Sequence, residues 1–388
     1  MSQLKVNTIR HTGASSDAIT LASDGTATAK ITNRSNRNII INGACNVAQR
    51  GTSTTTTGDF CVDRFNVFHN GTDEAPTFAQ VDVTSNDSGP WEKGFAKALR
   101  VTNGNQTGGA GAADYVWFQY KIEAQDIRSC GWNYTSASSY ITFSFWVKSS
   151  VAQEFKGWLQ TTDGTKQNYP FTTGSLSADT WTKITKTVPG HANIQFDDNT
   201  EAGFVIHLTP FFGTDYTNDS VTEDAWQAHS SSTRAADSTS TWYTTNDAQF
   251  ETTGWQLEVG DTATDFEHRS YGDELLRCYR YFYMHANATG DPIANGTMFG
   301  SDEFQGIVQF PVRMRTVPTL KWVTSGSNPL LVYCAGNLDF CNDAGKVHDS
   351  ETCMAVNHDN GLSLGSAGQA AWSRLYNDTT TIGFDAEL

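Results

Sequence analysis

Tyr140-Ile-Thr-Phe-Ser-Phe-Trp-Val-Lys148 is the stretch on which the fold class turns. Successive Cβ atoms of a strand point to opposite faces, so Ile141, Phe143, Phe145 and Val147 share one side, and Thr142, Ser144, Trp146 and Lys148 the other. A period of two over this length predicts a half-buried β-strand. Outward from it the same pattern returns. Tyr115–Glu123 sets Val116, Phe118, Tyr120 and Ile122 on one face. Glu154–Gln160 aligns Phe155, Gly157 and Leu159, and Trp255, Leu257 and Val259 alternate with Gln256 and Glu258. Short alternating runs divided by Gly, Asn, Asp and Ser turns predict an all-β chain built on a jelly-roll-like β-sandwich.

The 388 residues divide on composition. Residues 1–38 hold only Leu4/Val6 and Ile19/Leu21 as apolar alternations, too few to fold alone, and read as an N-terminal attachment and trimerisation segment. Residues 39–269 form the sandwich, interrupted by the polar excursion Asn218–Asn246, which is expected at the end of the sandwich where loops carry binding. Ser270–Arg280 (SYGDELLRCYR) carries the one helix signal, with Asp273 and Glu274 in its first turn and Leu275 and Tyr279 one turn apart, giving a helical connector over 270–284. Residues 285–388 read as a smaller β domain.

Charge narrows the partners. Acidic residues outnumber basic ones by 42 to 26, and the net charge of -16 argues against nucleic acid, which is held by a surplus of Lys and Arg. No run approaches the roughly 20 apolar residues of a membrane span. MSQLKVNTIRHTG lacks the apolar core of a secretory signal, so synthesis and folding in a cytoplasm are expected. The seven cysteines are scattered without CxxC pairs and read as reduced thiols.

Two stretches bracket the sandwich: Asn38-Ile-Ile-Ile-Asn-Gly-Ala-Cys-Asn-Val-Ala-Gln-Arg-Gly-Thr with Val62-Asp-Arg-Phe, and Gly254-Trp-Gln-Leu-Glu-Val-Gly-Asp-Thr-Ala-Thr-Asp-Phe-Glu-His-Arg-Ser-Tyr-Gly-Asp-Glu-Leu. They resemble the opening and closing segments of the lectin-like domain in tail-fibre proteins of marine and cyanobacterial phages. LKVNTIR with AITLASDGT is similar to the N-termini of such fibres, and Phe384-Asp-Ala-Glu-Leu to their C-terminal strand. Cys45 departs from the pattern, standing where methionine is expected. The resemblance implies a carbohydrate-binding-module-like sandwich, a homotrimer in the virion tail, attachment of the N-terminus to a tail or adaptor protein, and binding to host-surface glycan. It implies no catalytic residue. A structural connector of the virion without a ligand is the alternative, and a polysaccharide depolymerase a further one; no repeat of the β-helix kind supports the latter.

The candidate residues follow from the alternation. Trp117, Trp146 and Trp158 lie opposite the apolar residues of their own strands. Each therefore packs a second layer, enters a subunit interface, or offers a platform for a sugar ring. Trp226 and Trp242, in the Ser/Thr-rich excursion, are expected at the surface as glycan platforms. Arg50, Asp63 and Arg64, and Glu258 with Arg269, read as structural ion pairs. Asp197, Asp198 and Glu201, and Asp215, Asp219, Glu223 and Asp224, read first as solvated loop charge and second as ligands of a structural calcium ion. Cys334, Cys341, His348, Cys353 and His358 lack the short spacings of a zinc knuckle. No cofactor beyond such a calcium ion, no metal centre and no catalytic set are expected.

Overall fold

The computed structural model describes residues 5–14, 17–29, 35–324 and 327–388. The chain is nearly all β, with antiparallel ladders throughout. A six-stranded sheet runs in spatial order Thr182–Pro189, Tyr140–Ser149, Gln249–Val259, Lys97–Thr102, Thr77–Asp82 and Ser53–Thr54. A seven-stranded sheet faces it in the order Gln227–Ala228, Gln167–Ser175, Glu154–Thr161, Ala202–Phe212, Tyr115–Glu123, Phe65–Asn70 and Asp59–Val62. Their inner faces meet through aromatic pairs: Phe145 with Phe171 at 6.3 Å, Phe155 with Phe250 at 4.7 Å, and Phe65 with Trp255 at 5.1 Å. Ile141, Phe143, Phe145 and Val147 are fully buried here, as the alternation requires. Each such side chain contributes about 1.5–3 kcal/mol by leaving water.

Two β-bulges change the phase of the pattern, and both matter for what faces outward. In Gln249–Val259 the register shifts opposite Ser144 and Trp146, so that Phe250 and then Trp255 and Leu257 reach the same core although their numbers differ in parity. Gly254 makes the turn at φ +67°, where a Cβ would stand 2.8 Å from the Phe95 ring and 3.0 Å from Trp146. In Ala202–Phe212 the shift lies between Leu208 and Phe211. It sends Phe204, Ile206, Leu208 and Phe211 inward and leaves His207 and Phe212 on the outer face.

The expected helix forms over Tyr271–Tyr279, with Ser270 as N-cap accepting from the Asp273 amide at 3.2 Å. Its buried stripe is Glu274 and Cys278; Leu275 and Tyr279 are only half-buried. Beyond it stand a three-stranded sheet (Phe282–Ala286, Thr381–Asp385, Thr319–Val323) and a second seven-stranded sheet, with a core of their own around Phe304, Met314, Leu330, Met354 and Phe384. Arg280 and the Tyr281 hydroxyl donate to Glu123 at 2.7 Å, and Gln49 Nε2 donates to the Phe282 carbonyl at 2.8 Å, joining this part to the sandwich.

Arg50 and Arg64 act in that joint, and the motif charges have partners that differ in part from those expected. Arg50 does approach Asp63, at 3.9 Å, but also Glu387 at 3.3 Å. Arg64 pairs with Glu387 and lies over the Tyr281 ring at 3.4 Å. Glu258 pairs with Arg37 at 3.7 Å, whereas Arg269 pairs with Glu267 and Glu274. Val259, expected inside, is exposed because it ends its strand.

Near the N-terminus Thr8–Ile9, Ile19–Leu21 and Ala27–Ala29 form a small antiparallel sheet that leaves Val6, Ile9 and Leu21 exposed; Leu4 lies outside the described residues. Asn38 already belongs to the sandwich, donating to the Trp255 carbonyl at 3.1 Å and accepting from the Leu257 amide at 3.0 Å. No helix among the described residues is long and apolar enough to cross a membrane.

Candidate functional site

The outer face of the first seven-stranded sheet carries a second aromatic layer. Register places Trp158 beside His207, and His207 beside Gln119, across three adjacent strands. The His207 ring lies 4.8 Å from Trp117 and 4.3 Å from Trp158, at interplanar angles of 17° and 21°. The two indoles are themselves stacked at 5.6 Å, and Phe212 closes on both from the far side of its bulge.

Over this layer folds the polar excursion. Gln227–Ala228 extends the sheet edge beside Gln167–Ser175, and the Asn168 side chain donates to the Arg234 carbonyl at 2.6 Å. Ala235 packs on Trp158 and Phe212. The result is a groove of about 350 Å³, floored by Trp117, Gln119, Trp158, Gln160 and His207 and flanked by His229 and Arg234.

The polar atoms of these residues are unusual in having nothing to bond. Buried polar groups are nearly always paired, and each orphan costs about 1–3 kcal/mol. Among the described residues, Trp117 Nε1, Trp158 Nε1, both ring nitrogens of His207, His229 Nδ1 and Arg234 Nε are all buried without a partner. Half of all such atoms thus belong to one groove. Burial, reinforced by Arg234, His229 and Lys121, lowers the His207 pKa well below the ordinary range, so the imidazole is neutral. Burial, then Arg234 and Lys166, lowers that of His229. Such a surface can stack a flat apolar ring face, with several unpaired hydrogen-bonding atoms just beneath it.

Of the tryptophans singled out from the sequence, the structure brings Trp117 and Trp158 together here. Trp117 is half-exposed; Trp158 is 1% exposed, a second-layer residue rather than a free platform. Trp146 lies on the opposite outer face, in a second layer with Phe95 and Phe266 beside a cavity of about 260 Å³. Trp226 leans on Tyr169 at 5.2 Å and donates to the Pro189 carbonyl at 2.7 Å. Trp242 corrects the expectation of a surface platform. It is fully buried, because its amide is held by Gln153 at 2.9 Å and its indole donates to the Gln249 carbonyl at 3.1 Å, folding the Ser/Thr-rich chain back over the core. Part of the excursion, expected at the sandwich end, extends the sheet edge and lies across its outer face. His207, His229 and Arg234 were not anticipated: single His and Arg residues in such stretches carry no local signal.

Other expected clusters are held by ion pairs or backbone. Glu223 pairs with Lys156 at 2.8 Å, Asp224 with Lys186 at 3.0 Å, Glu201 with Arg315 at 3.3 Å and Asp198 with Arg128 at 3.5 Å. Among the described residues no group of three or more His, Cys, Asp or Glu side chains is placed to hold a metal ion, and all seven cysteines are free. A larger cleft of about 770 Å³ beside the helix is lined by residues several of which already bond one another, such as Arg277 with Asn36 at 2.7 Å and Arg269 with Glu267 at 3.5 Å.

No protein-family model and no curated protein matches the chain. Among solved structures, the enzymatically active domain of tailspike protein 4 of bacteriophage CBA120 is similar over 58% of this chain and 22% of its own, at 9% identity and a TM-score of 0.31. The chain thus spans under a quarter of that tailspike. A family 22 xylan-binding domain is similar over 56% of this chain and 99% of its own, at 10% identity and a TM-score of 0.27. The N-terminal cellulose-binding domain of Cellulomonas fimi β-1,4-glucanase C covers 55% and 96%, at 10% identity and a TM-score of 0.26.

Proposed function

We propose that this chain is a glycan-binding virion protein, a homotrimeric tail-fibre or receptor-binding subunit that attaches a bacteriophage to host-surface sugar. The observation that carries the binding reading is the Trp117–His207–Trp158 stack, which lines a groove and holds buried polar atoms without partners. A pyranose offers an apolar ring face and a rim of hydroxyls, which complement an indole face and unpaired nitrogens. The virion assignment rests on the resemblance of the bracketing motifs to phage tail fibres. The exposed Val6, Ile9 and Leu21 support assembly, since apolar side chains on so small a sheet are covered when copies wind together.

The reading is non-catalytic. Glycoside hydrolysis by the usual route needs two carboxylates across the sugar, and the described groove residues include none. Binding by weak sites displayed three-fold would gain avidity without further contacts. Glycan-panel binding by the whole chain, with Trp117→Ala weakening it by about 1–3 kcal/mol, is the expected outcome. No binding to any saccharide would leave the structural connector; release of reducing ends from host polysaccharide would bring in the depolymerase. Sedimentation of a monomer at micromolar concentration would remove the trimer.

A further inference from the structure

The chain carries 42 acidic against 26 basic residues, yet its groove inverts that balance. Among the described lining residues the charged and titratable groups are Lys121, Arg234, His207 and His229, with no carboxylate. The groups acting on His207 are likewise basic: Arg234, His229 and Lys121. Lys121 is already engaged, donating to the Leu388 carbonyl at 2.7 Å. Arg234 is different. Its guanidinium has no ion-pair partner among the described residues and lies over the rings of Phe212 and Tyr216 at 5.5 and 5.2 Å, with Nε buried and unbonded.

A half-buried arginine lying over aromatic rings, its charge without a counter-ion, is costly unless an anion completes it. Guanidinium matches carboxylate and sulfate oxygens in geometry, and hydrogen bonds to such anions are about twice as strong as neutral ones. His229 Nδ1 and both His207 nitrogens stand in the same groove without partners. His207, 3% exposed, is the buried polar side chain on its floor. A neutral sugar would pair its hydroxyls with the nitrogens but leave the positive charge uncompensated.

We infer that the saccharide this groove takes carries an anionic group, a carboxylate or a sulfate, received by Arg234 and His229 while the sugar ring lies against Trp117. The inference rests on the reading of the groove as a glycan site and names the class of glycan. It explains how a strongly acidic protein would bind an acidic coat: repulsion over the general surface is offset by one local basic groove.

The test is a panel of matched neutral, uronate and sulfated oligosaccharides, offered to the full-length wild type, Arg234→Gln, Arg234→Lys and Trp117→Ala. The wild type is expected to favour the acidic member of a matched pair by about tenfold or more, with a preference that falls as salt is raised. Arg234→Gln should narrow the acidic-to-neutral ratio to below about twofold, and Arg234→Lys, which keeps the charge but loses the planar fork, should give an intermediate ratio. The relative strength on the uronate and sulfated arms names the anion. Equal or tighter binding of neutral members, with the ratio unmoved by Arg234→Gln in a variant that melts like wild type, would overturn the inference and leave the glycan site standing. Binding to no member, or binding indifferent to Trp117→Ala, would overturn the site and the inference together.

Discussion

His207 and His358 are both buried imidazoles on strands of seven-stranded sheets, one in the sandwich and one in the C-terminal part, and their surroundings are opposite. His358 is saturated: Nδ1 donates to the Asp343 carbonyl at 3.1 Å, Nε2 accepts from the Ser373 hydroxyl at 3.1 Å, and the ring stacks on Phe304 at 5.4 Å. His207 is stacked against two indoles and bonded at neither nitrogen. The tryptophans repeat the contrast. Trp255, Trp242 and Trp226 all donate their indole N–H, while Trp117 and Trp158 do not. Burial with full pairing is how a fold uses a polar side chain; burial without pairing marks a place where a partner is missing.

The largest effect expected from this contrast is on the paired side. Trp255→Ala removes an indole bonded to Thr252 Oγ1 at 2.7 Å and packed edge-on to Phe65 and Phe143, and should lower stability by about 3–5 kcal/mol in denaturant unfolding. A loss near 1 kcal/mol would mean that the alternation had misplaced the core.

Acid should act next, on the C-terminal part. Burial lowers the pKa of His358 from 6.5 to about 4. The unfolded chain therefore binds a proton there that the folded chain refuses. Stability is full above about pH 6.5 and falls through that window toward pH 4, by about 3 kcal/mol from this group. Melting followed from pH 7 to pH 4 should show the loss, reduced in His358→Gln. A pH-independent melt would contradict the neutral, saturated imidazole.

The smallest stability change, and the sharpest test, belongs to His207→Leu. Removing a buried group that bonds nothing should leave stability within about 1 kcal/mol of wild type, or raise it. Saccharide binding should be lost at the same time. A large destabilisation with binding retained would reverse the assignment of His207 from site to structure.

Much of this architecture was legible before any coordinates. Ile141 through Val147, Val116 through Ile122, and Trp255 with Leu257 declared their faces, and Asp273 with Glu274 declared a helix start. The site was legible in part. Trp117 and Trp158 stood out because each lies opposite the apolar residues of its strand. The solvent-facing reading of Trp242 failed because its polar neighbours suggested water, whereas Gln153 and Asn103 hold that segment against the core, the latter donating to the Tyr243 carbonyl at 2.6 Å.

The sequence alone determined the class of structure: strands of period two, one short helix, scattered thiols and an acidic surface, each encoded by residues within a few positions of one another. Tertiary structure decided which side chains meet. Register set Trp158 beside His207 from strands about fifty residues apart in sequence, the bulge after Leu208 turned Phe212 outward to join them, and the excursion laid Arg234 and His229 across the face. None of these contacts has a local periodicity. Pairing between strands is a contest among whole-sheet arrangements, so a groove that gathers single residues from four segments leaves no pattern in any one of them.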